Sequence, residues 1–458
     1  MRMACDELQL PERGRAYLPS GETVRCADNS LVVQFSRPRD VVSTSWLNGG
    51  YRRDLSAVFN HQIPLDACDD CHENGGVETY LETVAASMGL DPRAACGLVT
   101  RAEMKNAVAV TARFRNLAVT AIVTAGIDKN GGRAGDPASY CEENDSFEPV
   151  GGTVNTVLVI GADLPEYALC RAVVTASEAK AVALQQLMAR SLYSSGIATG
   201  SGTDMIAIVA DPGSPLHLSD VGKHSKLGEL IGRTVIDATT AALENETGLS
   251  PRSQLDVLVR LSRFGIAETD LCDAVPGCGG TGNPYPFDRE VLMEYLERWT
   301  RRPENVARAA AALHLLDESA WGLLPEAVVM TTIAQILNDN GLVSTNLPDT
   351  SRACLVAGLS RLAFRDLLSE RGKEGTAGGA APAGPARGQL PLQSPEHHHE
   401  LLNALDPDIG DHLPDVVEIP AAAGCADGEE DEPLGQRDIV PQTVADEDHF
   451  RRPGAERD

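Results

Sequence analysis

Residues 199–204, Thr-Gly-Ser-Gly-Thr-Asp, set three hydroxyls and a carboxylate around two glycines. Such a turn lets the backbone N–H groups of Gly200 and Gly202 approach a substrate oxygen, with Thr203 and Asp204 alongside. The same composition also makes an ordinary turn. It is no dinucleotide fingerprint, because the strand-like run Met205-Ile-Ala-Ile-Val209 follows where that motif requires a helix.

Upstream, helical spacing places Lys180 on the face of Leu169, Ala172, Val173, Ala176, Ala183, Leu184 and Leu187. Glu178 points the opposite way, among Val174 and Val182. That helix reads as apolar almost all round and therefore buried. A lysine in it either snorkels to water or serves a site with a perturbed pKa. His224 precedes a second helix at the positive end of its dipole, which suits a developing oxyanion, or a structural histidine equally well. Asn130-Gly-Gly-Arg133-Ala-Gly-Asp136-Pro137 supplies an arginine and an aspartate on a loop after a strand, free for a ligand or paired to fix the loop.

Other patterns carry less. Gly222-Lys-His-Ser225 mimics the end of a phosphate loop, but His217 stands where its first glycine belongs and His224 where it needs Ser or Thr. Cys68-Asp-Asp-Cys71-His72 has the spacing of a c-type haem attachment, a chemistry that requires export. No second CxxC completes four metal ligands, so these read as loop thiols. His397-His398-His399 reads as a solvated polar run.

These residues need a framework, and β-branched runs supply it. Leu31–Phe35, Ala118–Val123, Val154–Ile160 and Met205–Val209 read as strands. The first long helix is expected to begin near Asp163, with Pro165 in its first turn and Glu166 completing a capping box. The second runs from about Ser225 to Asn245, buries Leu227, Leu230, Ile231, Val235, Ala238 and Ala242, and stops before Gly248. Residues 1–248 thus form an α+β domain. Residues 249–370 read as a small all-α module, with helical patterns over Leu255–Phe264, Val291–Trp299, Val306–Leu316 and Ala327–Leu337 and a loop at Gly277–Pro284. From 371 to 458 Gly, Pro, Ala and acids dominate, the net charge is −12, and a disordered acidic tail is expected.

Composition bounds the partners. The 458 residues carry a formal net charge of −27, which disfavours nucleic acid and anionic membrane. No stretch approaches the roughly 18 apolar residues of a membrane span. The opening residues Met1–Leu8 lack an apolar run, and eleven cysteines is an odd number, so reduced thiols in a cytoplasmic protein are expected.

Several stretches occur in order across about residues 45–245. They are Trp46-Leu-Asn-Gly-Gly-Tyr51, Phe59-Asn-His-Gln62, Thr124-Ala-Gly126, Gly132-Arg-Ala-Gly-Asp-Pro-Ala-Ser-Tyr140 and Gly152-Thr-Val-Asn155. Thr175-Ala-Ser-Glu-Ala-Lys180, Ala198-Thr-Gly-Ser-Gly-Thr-Asp204 and Lys223-His-Ser-Lys-Leu-Gly-Glu-Leu-Ile-Gly232 complete the set. Together they resemble the adenosylcobinamide amidohydrolase family of corrinoid salvage. The resemblance implies hydrolysis of the amide joining aminopropanol to the corrin ring, giving adenosylcobyric acid and aminopropanol, with the corrinoid as substrate and no cofactor. Amide hydrolysis needs a nucleophile, a base, an oxyanion stabiliser and an acid for the leaving amine. From these chemical requirements, and not from the family, Asp204 or Glu178 is expected to activate water, Lys180 or the Gly200 and Gly202 N–H groups to hold the oxyanion, and His224 to protonate the amine. A covalent variant uses Thr203 or Ser201. Asn60, His61, Arg133, Asp136, Asn155 and Lys226 are the expected substrate contacts.

Two other readings remain. A corrinoid carrier or sensor is suggested by Asp70-Cys-His72-Glu-Asn-Gly75, although no β-branched strand precedes it and no Ser-x-Leu follows before Val150. A metal-dependent hydrolase would use His61, Cys71 and His72.

Overall fold

The computed structural model describes residues 5–11, 14–27, 29–64, 76–138, 152–275, 289–337 and 350–377, all within one compact unit, Met1–Ser394. Asp70, Gly75, Cys68, Cys71, His72, Tyr140, Gly277–Pro284, the histidine run and the acidic segment from 378 lie outside the described residues.

The chain begins with β1 (Cys5–Leu8), β2 (Ala16–Tyr17), β3 (Thr23–Ala27), β4 (Ser30–Ser43) and β5 (Gly50–Gln62). After α1 (Gly76–Ser87) come β6 (Ala95–Thr100), β7 (Val108–Phe114), β8 (Leu117–Gly126), β9 (Gly131–Gly132) and β10 (Thr153–Ile160). Next are α2 (Glu166–Gln186), β11 (Gly200–Ser201), β12 (Met205–Ala210) and α3 (Lys226–Thr247). The rest is helical: α4 (Val257–Leu261), α5 (Glu268–Asp273), α6 (Arg289–Trp299), α7 (Pro303–Ala320), α8 (Glu326–Ile336) and α9 (Thr350–Ala377).

Among the described residues, ten strands make one mixed sheet in the order β1-β7-β8-β10-β12-β4-β3-β2, with β5 on β4 and β6 on β5. Its parallel pairs are β10–β12 and β5–β6. Parallel neighbours need a crossover, and α2 supplies it between β10 and β12. Every residue of β10 is buried, because alternate side chains enter two cores. Val154, Leu158 and Ile160 pack with residues of α2 and α3, including Leu169, Ala172, Leu230 and Val235. Val157 and Val159 pack with Val24, Val33, Val58 and Leu98 on the other face.

The sheet curls. β4 changes register against β5 between Gln34 and Arg39, a stretch that holds Pro38, whose missing N–H is tolerated there, and again between Arg39 and Val41. Its first half pairs with β3 and its second half with β12. The curl brings β6 beside β10, where Asn155 Nδ2 donates to the Val99 carbonyl at 2.8 Å. At the far end of β12, buried Arg39 donates to Glu22 at 2.7 and 3.0 Å and lies 3.2 Å from Asp211. The pairing compensates a guanidinium that would otherwise be costly to bury.

The first long helix differs from the sequence expectation in two ways. α2 starts at Glu166 with Pro165 at its N-cap, and Asp163 lies 2.7 Å from His217 Nδ1 instead of capping the helix. Nor is α2 buried all round: Tyr167 and Val174 are exposed, because only the flanks toward α3 and the sheet are covered. α3 follows the expectation. The Ser225 hydroxyl accepts from the Gly228 N–H at 3.0 Å, and Gly248 ends the helix at φ 72°. In the helical part Val257 and Leu261 are buried, whereas Leu255 and Val259 of the expected apolar stripe are exposed. α9 continues to Ala377, past the change of composition at Arg371.

Candidate active site

Asp204 immediately precedes β12, and the β10–β12 register sets Met205 opposite Asn155. Its carboxylate therefore reaches the start of β10, where Oδ1 accepts the Val154 N–H at 2.9 Å. The same oxygen accepts the Ser201 hydroxyl at 2.6 Å, and Oδ2 accepts the Ser201 N–H at 3.1 Å. Lys180, from the last third of α2, completes the set with an ion pair to Oδ2. Four donors thus fill the usual acceptor sites of one carboxylate. The lysine and aspartate side chains are 18% and 15% exposed, so the pair faces a boundary that a substrate can reach.

At position 200 only glycine fits without displacing its neighbours. A β-carbon there would fall on the Asp204 carboxylate and 2.7 Å from Lys180 Nζ. At Gly202, by contrast, an added β-carbon meets nothing within 4 Å, so the turn is open on that side. The Thr203 hydroxyl donates to the Gly152 carbonyl at 2.9 Å, and its own carbonyl accepts from Thr153 at 2.6 Å. Gly152 itself sits at φ +97°, with Asn130 Oδ1 where a side chain would be.

The ribbon β9–β11 carries this turn and joins it to two loops. Asp136 accepts from the Arg133 N–H at 2.9 Å and the Ser191 hydroxyl at 2.5 Å. Burial pushes its carboxyl up, but hydrogen bonds from Ser191, Ser194 and the Arg133 N–H outweigh this and hold it below its usual value. Asp136 therefore ties the loop to backbone and serines. Arg133 is exposed beside it, with its side chain against Gly196. Ser191 had no signal in the sequence, since its role comes from a loop meeting distant in the chain.

The structure divides the expected catalytic group. Asp204, Lys180, Thr203, Gly200 and Gly202 come together with Ser201. Glu178 does not join them: two positions from Lys180 it points roughly 200° away around the helix. It pairs with Lys223 at 2.7 Å on an exposed flank. His224 is exposed beside that pair at the start of α3, and Lys226 lies over the Phe114 ring at 5.0 Å, at the β7–β8 turn.

The expected contacts Asn60, His61 and Asn155 lie inside. Asn155 Nδ2 donates to Asn60 Oδ1 at 2.9 Å, its Oδ1 accepts the Met205 N–H at 3.2 Å, and Asn60 donates to Thr124 at 2.8 Å. His61 sits between the Ser30 hydroxyl at 2.8 Å and the Tyr80 hydroxyl at 2.9 Å, and burial lowers its pKa to about 4. Among the described residues no group of three or more His, Cys, Asp or Glu side chains is arranged to hold a metal ion. No helix among them is long and apolar enough to cross a membrane. A cleft of about 600 Å³, lined by Gly248, Arg252, Leu255, Asp256, Val259 and Arg301, lies apart from the Lys180–Asp204 pair.

A carboxylate, an ammonium and a hydroxyl on a glycine turn at the ends of parallel strands make a polar centre suited to hydrolysis. The chain belongs to the adenosylcobinamide amidohydrolase family, whose model matches residues 15–251 and so spans the sheet from β2 to β12, α2, α3 and this centre. It is 33% identical over 226 residues to an uncharacterised protein of Methanocaldococcus jannaschii, covering 47% of this chain and 85% of that one. It is 29% identical over 225 residues to the adenosylcobinamide amidohydrolase of Methanosarcina mazei, covering 47% of this chain and 95% of that one. A crystal structure of the PH0078 protein from Pyrococcus horikoshii OT3 matches at 12% identity and a TM-score of 0.25, over 57% of this chain and 92% of the other.

Proposed function

We propose that this chain is a cytoplasmic enzyme that hydrolyses the aminopropanol amide of adenosylcobinamide, releasing adenosylcobyric acid and aminopropanol for cobalamin synthesis. Family membership supports the reaction class. The observation that carries the chemistry is the Ser201 hydroxyl donating to Asp204 at 2.6 Å while Lys180 pairs with the other carboxylate oxygen.

A hydroxyl hydrogen-bonded to a carboxylate is a nucleophile with its base in place. Ser201 Oγ attacks the amide carbon and its proton passes to Asp204. Lys180 and the Gly202 N–H stabilise the oxyanion. The C–N bond then breaks, the amine takes the proton from Asp204, and water cleaves the resulting ester to restore Ser201. Ser201 is preferred to Thr203, whose hydroxyl is committed to the Gly152 carbonyl. Arg133, exposed on the neighbouring loop, donates to the amide carbonyls around the corrin ring. No step passes through a metal or cofactor, and the corrinoid is substrate only.

The test incubates the purified full chain with adenosylcobinamide, with and without a chelator, and separates the products by chromatography. Adenosylcobyric acid in both samples is the expected result. Product lost only with chelator would replace this mechanism by a metal-dependent one. Corrinoid bound without product would make the chain a carrier or sensor.

A further inference from the structure

The helical part after α3 lies outside the residues the family model matches, yet it reaches the candidate site. Arg263, in the turn after α4, is 7% exposed and forms a two-pronged pair with Asp317 of α7, at 2.7 and 2.6 Å. The same Nη1 donates to the Ser195 carbonyl at 2.7 Å. Ser195 is at the tip of a narrow finger closed by the Arg190–Ile197 bridge and by the Ser191 N–H to the Gly196 carbonyl at 3.0 Å.

The finger continues directly into the catalytic turn. Ala198 donates to the Ala189 carbonyl at 2.7 Å, and the Thr199 N–H to the Gly132 carbonyl at 2.9 Å. The Leu192 N–H donates to the Gly131 carbonyl at 2.9 Å, Ser191 holds Asp136, and the Tyr193 ring lies against Gly132. A short ribbon of glycines and a serine buries little apolar surface of its own, so its pose depends on what holds the finger.

We infer that Arg263 is a positioning residue for the candidate site, acting through the Ser195 carbonyl, with Asp317 fixing the guanidinium. The inference rests on the proposed reaction for its kinetic consequence but not for its structural one. A planar guanidinium reaches a carboxylate and a carbonyl together; a lysine in its place offers one compact ammonium and keeps only part of this geometry.

The test compares full-length wild type with Arg263→Gln, Arg263→Lys and Ile333→Ala. The last variant loosens the buried helix packing without touching the finger. Each is measured for melting temperature, for hydrogen–deuterium exchange over residues 189–201, and for kcat and KM with adenosylcobinamide. Arg263→Gln is expected to speed exchange in the finger and lower kcat/KM about tenfold, with Arg263→Lys intermediate. Ile333→Ala should lower the melting temperature while finger exchange and kcat/KM stay within about twofold of wild type. Unchanged exchange in a folded Arg263→Gln chain overturns the inference, as does faster exchange with unchanged kcat/KM. A wild type that leaves adenosylcobinamide intact removes the functional reading alone, and the exchange comparison then decides the coupling.

Discussion

Gly200 lies so close to Lys180 that a β-carbon at the glycine would stand 2.7 Å from the lysine nitrogen. No rotamer choice at position 200 removes that contact, because every non-glycine residue carries the same carbon. Gly200→Ala must therefore push the lysine, the carboxylate or the ribbon aside. Kinetics on a chain with wild-type circular dichroism should show kcat/KM lowered by roughly a hundredfold, the scale of an ångström-sized misplacement of reacting groups.

Ser201 and Thr203 both offer hydroxyls, but only Ser201 donates to Asp204. Ser201→Ala is expected to lose at least ~10³-fold in kcat, whereas Thr203→Val should retain activity within about fivefold and lose about 1 kcal/mol of stability with its hydrogen bond to Gly152. Turnover assays with urea unfolding separate the two. Equal losses at both positions would remove Ser201 as the nucleophile.

Glu178 and Lys180 share a helix and face apart. Lys180→Met should lose ~10²–10³-fold in kcat/KM. Glu178→Gln, which breaks an exposed pair worth at most about 1 kcal/mol, should lose no more than about threefold. A Glu178 variant as impaired as Lys180→Met would place the chemistry on the Lys223–His224 flank instead.

His61 gives the protein a pH-dependent stability. Burial lowers its folded pKa from 6.5 to about 4, so between those values the unfolded chain binds the proton and the folded chain does not. Its contribution is complete above pH 6.5 and is lost as pH falls toward 4, at up to about 1.4 kcal/mol per pH unit. Urea unfolding from pH 4.5 to 7 should show this slope in the wild type and a shallower one in His61→Gln. Equal slopes would assign the pH dependence to other groups.

Parts of this arrangement were legible in the sequence for definable reasons. β10 and β12 are buried on both faces, so their β-branched runs are nearly uninterrupted. Ser225 and Gly248 mark the ends of α3 because each solves a local problem of the helix backbone. The turn at 199–204 declared itself by composition. By contrast, β5 hides behind Arg52, Arg53 and Asp54, which sit where its first half is open to solvent. Helical spacing showed that Lys180 and Glu178 diverge, but it holds no information about partners. Asp204 and Lys223 become those partners through tertiary meetings that no local pattern encodes. The same limit hid the burial of Asn60 and Asn155, whose amides join two strands across the curl of the sheet.

The bend in β4 also bears on how the chain is made. The second half of that strand pairs early with β5 along one edge, but the other edge of Asp40–Ser43 finds its neighbour only in β12, about 160 residues later. At the 5–20 residues per second of protein synthesis, this backbone edge waits roughly ten to thirty seconds on the ribosome. An unpaired edge of that kind recruits other strands, and Pro38 with the charges of Arg37, Arg39 and Asp40 blunts it. Arg39 thus has two successive environments: a gatekeeper on the nascent chain, and then the centre of a buried ionic cluster once β12 arrives.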